Sequence, residues 1–202
     1  MSQLPLTHTR ALDVTTTALV SLSYLTNKTK YDARISSLPE DSHYAFAAAA
    51  VFGFTVRFVN LYPMVHKAQI MSRKGSEKIG KNLRSNPFIY QMADAPGSPA
   101  KPNAVIFANE GAAGKYNRSN RSLQHMVENM GAMVVGLPMA GLVFPFPTFA
   151  STVLWSAGRL MHQLGYSSGY GYHGSGFGIA TIATSTVEGL LMVVAAKGIM
   201  GY

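Results

Sequence analysis

The sequence predicts an all-α integral membrane protein, a four-helix bundle with an N-terminal extension and a long basic first loop. Three observations carry that prediction. Four apolar stretches of nearly bilayer-spanning length occur within 202 residues, and about 20 apolar residues suffice for a helix to cross a hydrocarbon core. The chain is 48% hydrophobic and only 13% charged, with the charges gathered largely outside those stretches. The segment from His66 to Arg118 holds nine Lys or Arg against three acids, Glu77, Asp94 and Glu110. That bias belongs to a loop on the cytoplasmic or matrix side of a membrane.

Residues 1–42 form the extension. They are rich in Ser and Thr, balance four basic against four acidic residues, and carry an amphipathic pattern from Ala11 to Leu25. The pattern is poor in acids, as in transit peptides, but Arg10 is the one cation before Lys28. A helix lying on the membrane or on a partner fits it equally well. The membrane domain occupies 43–202, and its first span runs from about His43 to Val65, interrupted by Arg57 and Asn60. Loop 66–116 follows; about fifty residues is long for a helix–helix connection, so it is expected to fold against something. The second span covers Asn117 to Val143, with a kink expected at Pro138. A Pro-rich turn, Phe144 to Pro147, leads to the third span, about Phe149 to Gly165. The fourth runs from about Gly176 to Ile199, interrupted by Glu188. With four spans, the basic loop and the 167–175 turn share one side and both termini the other.

Polar residues inside the spans are the informative ones. Arg121, His125 and Glu128 fall at i, i+4 and i+7 and share one helix face. In hydrocarbon such a stripe survives only against a bundle interior or a wet cavity, so it either binds a polar ligand or locks helices together. Measured from the basic-loop side, Arg57, Glu128 and Glu188 lie at depths differing by only roughly 3–5 Å at 1.5 Å per residue. Arg57 is therefore expected to neutralise Glu128, Glu188 or both, making these three the structural intramembrane charges.

Other chemistry is narrowed by composition. Cys is absent, which removes disulfides, thiolate nucleophiles and Cys-based metal sites. The six His (His8, His43, His66, His125, His162 and His173) include no pair at zinc-helix spacing, so no metal is expected. Gly169, Gly171, Gly174, Gly176 and Gly178 follow no strand and do not form a phosphate loop; they suit close helix packing or a turn. The net charge of +8 reads as topology and attraction to anionic lipid, not as a nucleic-acid surface, since no aromatic–basic interleaving accompanies it. Asn117-Arg-Ser and Asn120-Arg-Ser match the glycosylation pattern but fall on the basic side.

The second and third spans resemble the MAPEG family, the membrane-associated proteins of eicosanoid and glutathione metabolism, in particular its microsomal glutathione S-transferase branch. That family carries Arg-x-x-x-Asn-x-x-Glu on its second helix and Arg-x-x-Tyr-x-x-Gly-Tyr at the end of its third. The matching stretches here are Arg121-Ser-Leu-Gln-His-Met-Val-Glu128 and Arg159-Leu-Met-His-Gln-Leu-Gly165-Tyr166. The resemblance covers about residues 43–200. It implies glutathione as co-substrate, held by Arg121, His125, Glu128, Arg159, His162 and Tyr166, in a homotrimer, with Arg121 and Glu128 gripping the glutathione carboxylate and amine.

Departures from the pattern bear on activity. The family asparagine is His125 and the family tyrosine is His162; the residue after Glu128 is Asn129, where leukotriene synthase-type members place a tyrosine. No Lys or Arg occurs between Arg159 and Lys197, where the family supplies an arginine for the glutathione thiolate. A thiolate near neutral pH requires a cation or strong donors at sulfur, which leaves Tyr166, Tyr172 and His173 as the catalytic candidates. Two functions therefore compete. One is a relative that has lost transfer and serves as a structural or accessory subunit of a larger membrane complex, in contact with membrane lipids and other subunits. The other is an active glutathione transferase or glutathione-dependent peroxidase. The mitochondrial inner membrane and the endoplasmic reticulum are the locations these readings imply.

Overall fold

The computed structural model describes residues 16–72, 86–95, 98–171 and 173–201. The chain divides into two compact units, Met1–Ser42 and His43–Tyr202. The first unit contains helix α1 over 16–26 and α2 over Lys28–Ser36, separated by a turn at Asn27. Asn27 leaves helical geometry, and its carbonyl accepts the Tyr31 N–H at 3.1 Å. Asp32 receives both the Tyr24 hydroxyl and the Lys28 ammonium. The Lys28 contact holds the Asp32 carboxyl below its ordinary range, and the same contact raises Lys28. Val20, Tyr24, Tyr31, Ile35 and Leu38 line a shallow groove of about 380 Å³ in this unit. Of the stretch Ala11 to Leu25, where an amphipathic helix was expected, residues 16–25 are helical; residues 11–15 lie outside the described residues.

Among the described residues, the second unit is helical apart from one hairpin. Its elements are α3 (Ser42–Ser72), β1 (Tyr90–Ala95), β2 (Ser98–Phe107), α4 (Gly111–Asn129), α5 (Gly131–Val143), α6 (Pro145–Ser168) and α7 (Gly174–Met200). Helices α3 and α7 are long and apolar enough to cross a membrane, yet only 17% of either apolar window is buried inside the chain. Side chains such as Phe46, Phe54, Met192 and Ile199 remain exposed. So much uncovered apolar surface calls for an apolar surrounding. Helices α4 and α5 together make a third candidate span, bent by 48°. Among the described residues the count is thus two, or three with the bent pair, against the four spans expected. The stretch expected as the third span is helix α6, which is too polar to qualify as a span on its own composition.

The reason is where α6 puts its polar side chains. Thr148, Thr152, Ser156, Arg159, His162, Gln163 and Ser167 are all buried, so its polar stripe faces the other helices. Trp155, fully buried on the same helix, stacks on Phe52 of α3 with ring centroids 5.0 Å apart. Val59, Met126, Met133, Ala140, Ala180, Ala183 and Val187 complete the core. Helices α6 and α7 approach closely because both carry glycine at the crossing. A Cβ on Gly176 would lie 2.4 Å from the backbone nitrogen of His162, and one on Gly158 would lie 2.6 Å from the backbone nitrogen of Ala180. Small residues serve membrane helix packing in this way, since they let backbones meet.

The break in the second span lies at Met130, not at Pro138. Pro138 sits inside α5, where it deprives only one carbonyl of its donor. At the junction, Asn129 Nδ2 donates to the His125 carbonyl at 2.7 Å, a side-chain bond within the last turn of α4. Gly131, with open space around it, begins α5. Local amide competition and a glycine together end the helix.

The long loop does fold against something. Its hairpin is antiparallel, with Tyr90 opposite Phe107, Gln91 opposite Ile106 and Met92 opposite Val105. Three side chains of α4 clamp the segments flanking it. Asn117 bonds Ile89 and Ala108, the Tyr116 hydroxyl donates to the Pro87 carbonyl at 2.9 Å, and Asn120 Nδ2 donates to the Asn86 carbonyl at 2.6 Å. Asn117 and Asn120, the two glycosylation-pattern residues, are therefore buried structural groups. The cations Arg73, Lys74, Lys78, Lys81 and Arg84 lie outside the described residues.

Candidate functional site

Three helices bring the motif residues together: α4 with Arg121, Ser122, His125 and Glu128, α6 with Arg159, His162 and Tyr166, and the start of α7 with His173 and Phe177. His162 is the hub. Its ring stacks on His125 at 5.1 Å and 22°, meets His173 edge-on at 5.6 Å, and lies 5.5 Å from Tyr166. Tyr166 and His173 are 4.7 Å apart, and Phe177 packs on His125 at 5.0 Å. His162 Nδ1 shares a 2.9 Å hydrogen bond with the Ser122 hydroxyl, in which Ser122 donates when the imidazole proton sits on Nε2. The three imidazoles meet through ring faces and edges. Among the described residues, no group of three or more His, Cys, Asp or Glu could hold a metal ion.

Arg159 lies in this neighbourhood. It is only 3% exposed, its guanidinium sits 5.6 Å from the Trp155 ring, and it is within electrostatic range of His125 and His162. Its Nε and Nη1 meet no acceptor among the described residues, nor does His125 Nδ1 or His173 Nδ1 have a partner there. A buried guanidinium over an indole gains cation–π attraction, but that leaves its in-plane N–H groups open to an acceptor. Chemically the cluster is cationic and donor-rich.

Arg121 and Glu128 behave differently. They form an ion pair on their own helix, Nη1 to Oε1 at 2.8 Å, with side chains 40% and 44% exposed. Because both sit on α4, the pair cannot lock one helix to another, which was one of its two expected roles. Arg57 on α3 and Glu188 on α7 stand on accessible faces of the chain instead of in its interior. Tyr172 lies outside the described residues. His66, on α3, stacks edge-on against Tyr62.

Sequence reasoning missed Ser122, Trp155 and Phe177. Trp155 had a readable signal, since it stands one turn before Arg159 on the same helix face. Ser122 and Phe177 had none, because their roles depend on how α4, α6 and α7 are rotated. What the fold and site define is a helical membrane-type protein: an all-α chain with a small hairpin, helices able to cross a bilayer, and a buried basic cluster at their meeting point. No family model matches this sequence, and no curated protein matches it.

Proposed function

We propose that this chain is a MAPEG-like membrane protein in which glutathione transfer has lapsed, retained as a structural or accessory subunit of a larger complex, in the mitochondrial inner membrane or the endoplasmic reticulum. In this reading α6 is a fourth span whose inward polar stripe is shielded by its neighbours, completing a four-helix bundle. The observation that carries the proposal is the 2.8 Å pairing of Arg121 with Glu128. The resemblance gives these two side chains to the carboxylate and amine of glutathione, and here each neutralises the other. A ligand would have to part them before using either. The histidines at 125 and 162 and the lack of any Lys or Arg between Arg159 and Lys197 point the same way, since a thiolate needs a cation at its sulfur. The exposed Leu19, Leu22 and Leu25 of the first unit offer apolar surface for subunit contacts.

A second reading, an active homotrimeric glutathione transferase or peroxidase, is favoured by one observation: the open Nε and Nη1 of buried Arg159. A carboxylate would satisfy them, and Tyr166 with His173 would then be the donors nearest a thiol. Calorimetry of the purified chain with glutathione, together with an electrophile-conjugation assay, separates the two. The subunit reading expects no binding and recovery of the chain in a stable high-mass assembly from native membranes. Binding with turnover that Arg121→Ala abolishes would overturn it.

A further inference from the structure

The hairpin between α3 and α4 presents a coherent apolar face. Side chains alternate along a strand, so the register places Tyr90, Met92, Val105 and Phe107 on one side and Gln91 and Ile106 on the other. Tyr90, Met92 and Val105 are 57%, 60% and 66% exposed. Phe107 contacts both Phe88 and Tyr90, at 5.0 and 5.6 Å, so the aromatic residues form a continuous patch. A two-stranded hairpin gains little stability by itself in water, and one with its apolar face uncovered gains less.

Its base is held at a defined level. Ile89 and Ala108 pack with Ile70, near the end of α3, and with Tyr116, in the second turn of α4. Those are the ends of two helices that qualify as spans or as parts of one, so the hairpin starts where the chain leaves the hydrocarbon. Lys115 is exposed beside that base, and Arg118 donates to the Asn109 carbonyl at 2.6 Å just beyond β2. An aromatic–aliphatic face with adjacent cations, held by its base at the ends of candidate membrane helices, has the composition of an interfacial anchor.

We propose that this face lies in the headgroup–acyl boundary of the leaflet on the basic-loop side, its cations meeting anionic lipid. The occupant of the face is lipid, not a protein strand or a second copy of the chain. The anchor would fix the position of the helix ends in the bilayer, and it holds whether or not glutathione binds. Because the chain has no Cys, single cysteines report on it without background. Full-length Met92→Cys, Val105→Cys and Gln91→Cys proteins would be labelled with an environment-sensitive fluorophore in phosphatidylcholine–phosphatidylglycerol vesicles.

The expected result is blue-shifted emission and loss of aqueous iodide quenching at positions 92 and 105, with quenching by spin labels at headgroup depth. Position 91 should keep its aqueous signal. Equal water access at all three positions, or equal shielding, overturns the proposal. So does a label at 92 or 105 that stays aqueous in vesicles and becomes shielded only in a complex extracted from native membranes. That outcome would assign the face to a protein partner.

Discussion

Asn117 pairs with Ile89 as a neighbouring strand would. Its side-chain carbonyl accepts the Ile89 N–H at 2.8 Å, and its Nδ2 donates to the Ile89 carbonyl at 2.7 Å and to the Ala108 carbonyl at 2.9 Å. Ala108 N–H also reaches the Ile89 carbonyl at 3.0 Å. A helix side chain thus closes the base of a hairpin that, among the described residues, hydrogen-bonds to no other strand. Asn117→Ala removes three buried bonds and leaves the Ile89 N–H without its acceptor. The expected loss is about 2–4 kcal/mol, read as a lower denaturation midpoint in detergent and faster proteolysis within 90–107. An unchanged cleavage rate would show that the clamp does not hold the hairpin.

The α6–α7 crossing tolerates no Cβ at its closest points. Gly176→Ala or Gly158→Ala sets a methyl against backbone, and the helices must separate. Each should cost about 1–3 kcal/mol, or more where the backbone cannot shift. Gly176→Ala should also disturb the His162 cluster directly. Gly178→Ala faces open space on the same helix and should stay within about 1 kcal/mol of the parent. Equal melting temperatures for all three variants would contradict the close approach.

The Arg121–Glu128 pair predicts a double-mutant cycle. Arg121→Leu and Glu128→Leu each strand one charge on a membrane-type helix, whereas the double replacement strands none. Unfolding in detergent should show the double variant less destabilised than the sum of the singles. The coupling should be about 0.2–1 kcal/mol where the face is wet, and larger in a bilayer, where the surroundings screen less. Strict additivity would mean that the two side chains do not meet.

In the first unit, the Tyr24–Lys28–Asp32 contacts set a pH window. Asp32 is held below its ordinary range by the bond from Lys28, so its contribution is complete above its unfolded pKa of about 3.9. It disappears as pH falls through the lower folded value. Lys28 is raised by the same bond, so its contribution is complete below about 10.4 and is lost as pH rises through its folded value. Amide-exchange protection of residues 24–36 in the full chain, corrected for intrinsic exchange, should be flat between about pH 5 and 9 and decline on either side. Asp32→Asn should abolish the acid limb; an acid limb that survives would contradict this assignment.

Much of the helical layout was legible in the residues. Expected boundaries of 43–65, 149–165 and 176–199 stand beside Ser42–Ser72, Pro145–Ser168 and Gly174–Met200. Each helix outruns its apolar stretch, because hydropathy marks the membrane-grade part and not the flanking turns. The sequence alone places the hairpin within an undivided loop. Pro96-Gly97 between two mixed runs is a hairpin signal, which Pro99 and Pro102 obscure because proline is disfavoured within strands. A two-stranded ribbon with free edges tolerates such prolines. The break at Met130 was masked by Pro138, the more obvious breaker.

Length and apolar content by themselves indicated a helical chain with segments long and apolar enough to cross a membrane. Those properties are sums over neighbouring residues and need no knowledge of where anything packs. Only the tertiary structure decided that His125, His162 and His173 share one cluster near Arg159, and that the polar stripe of α6 is buried. Each depends on how α4, α6 and α7 are rotated about their axes. Glycines at the α6–α7 crossing and a bend at Met130 set that rotation through contacts between residues far apart in the chain.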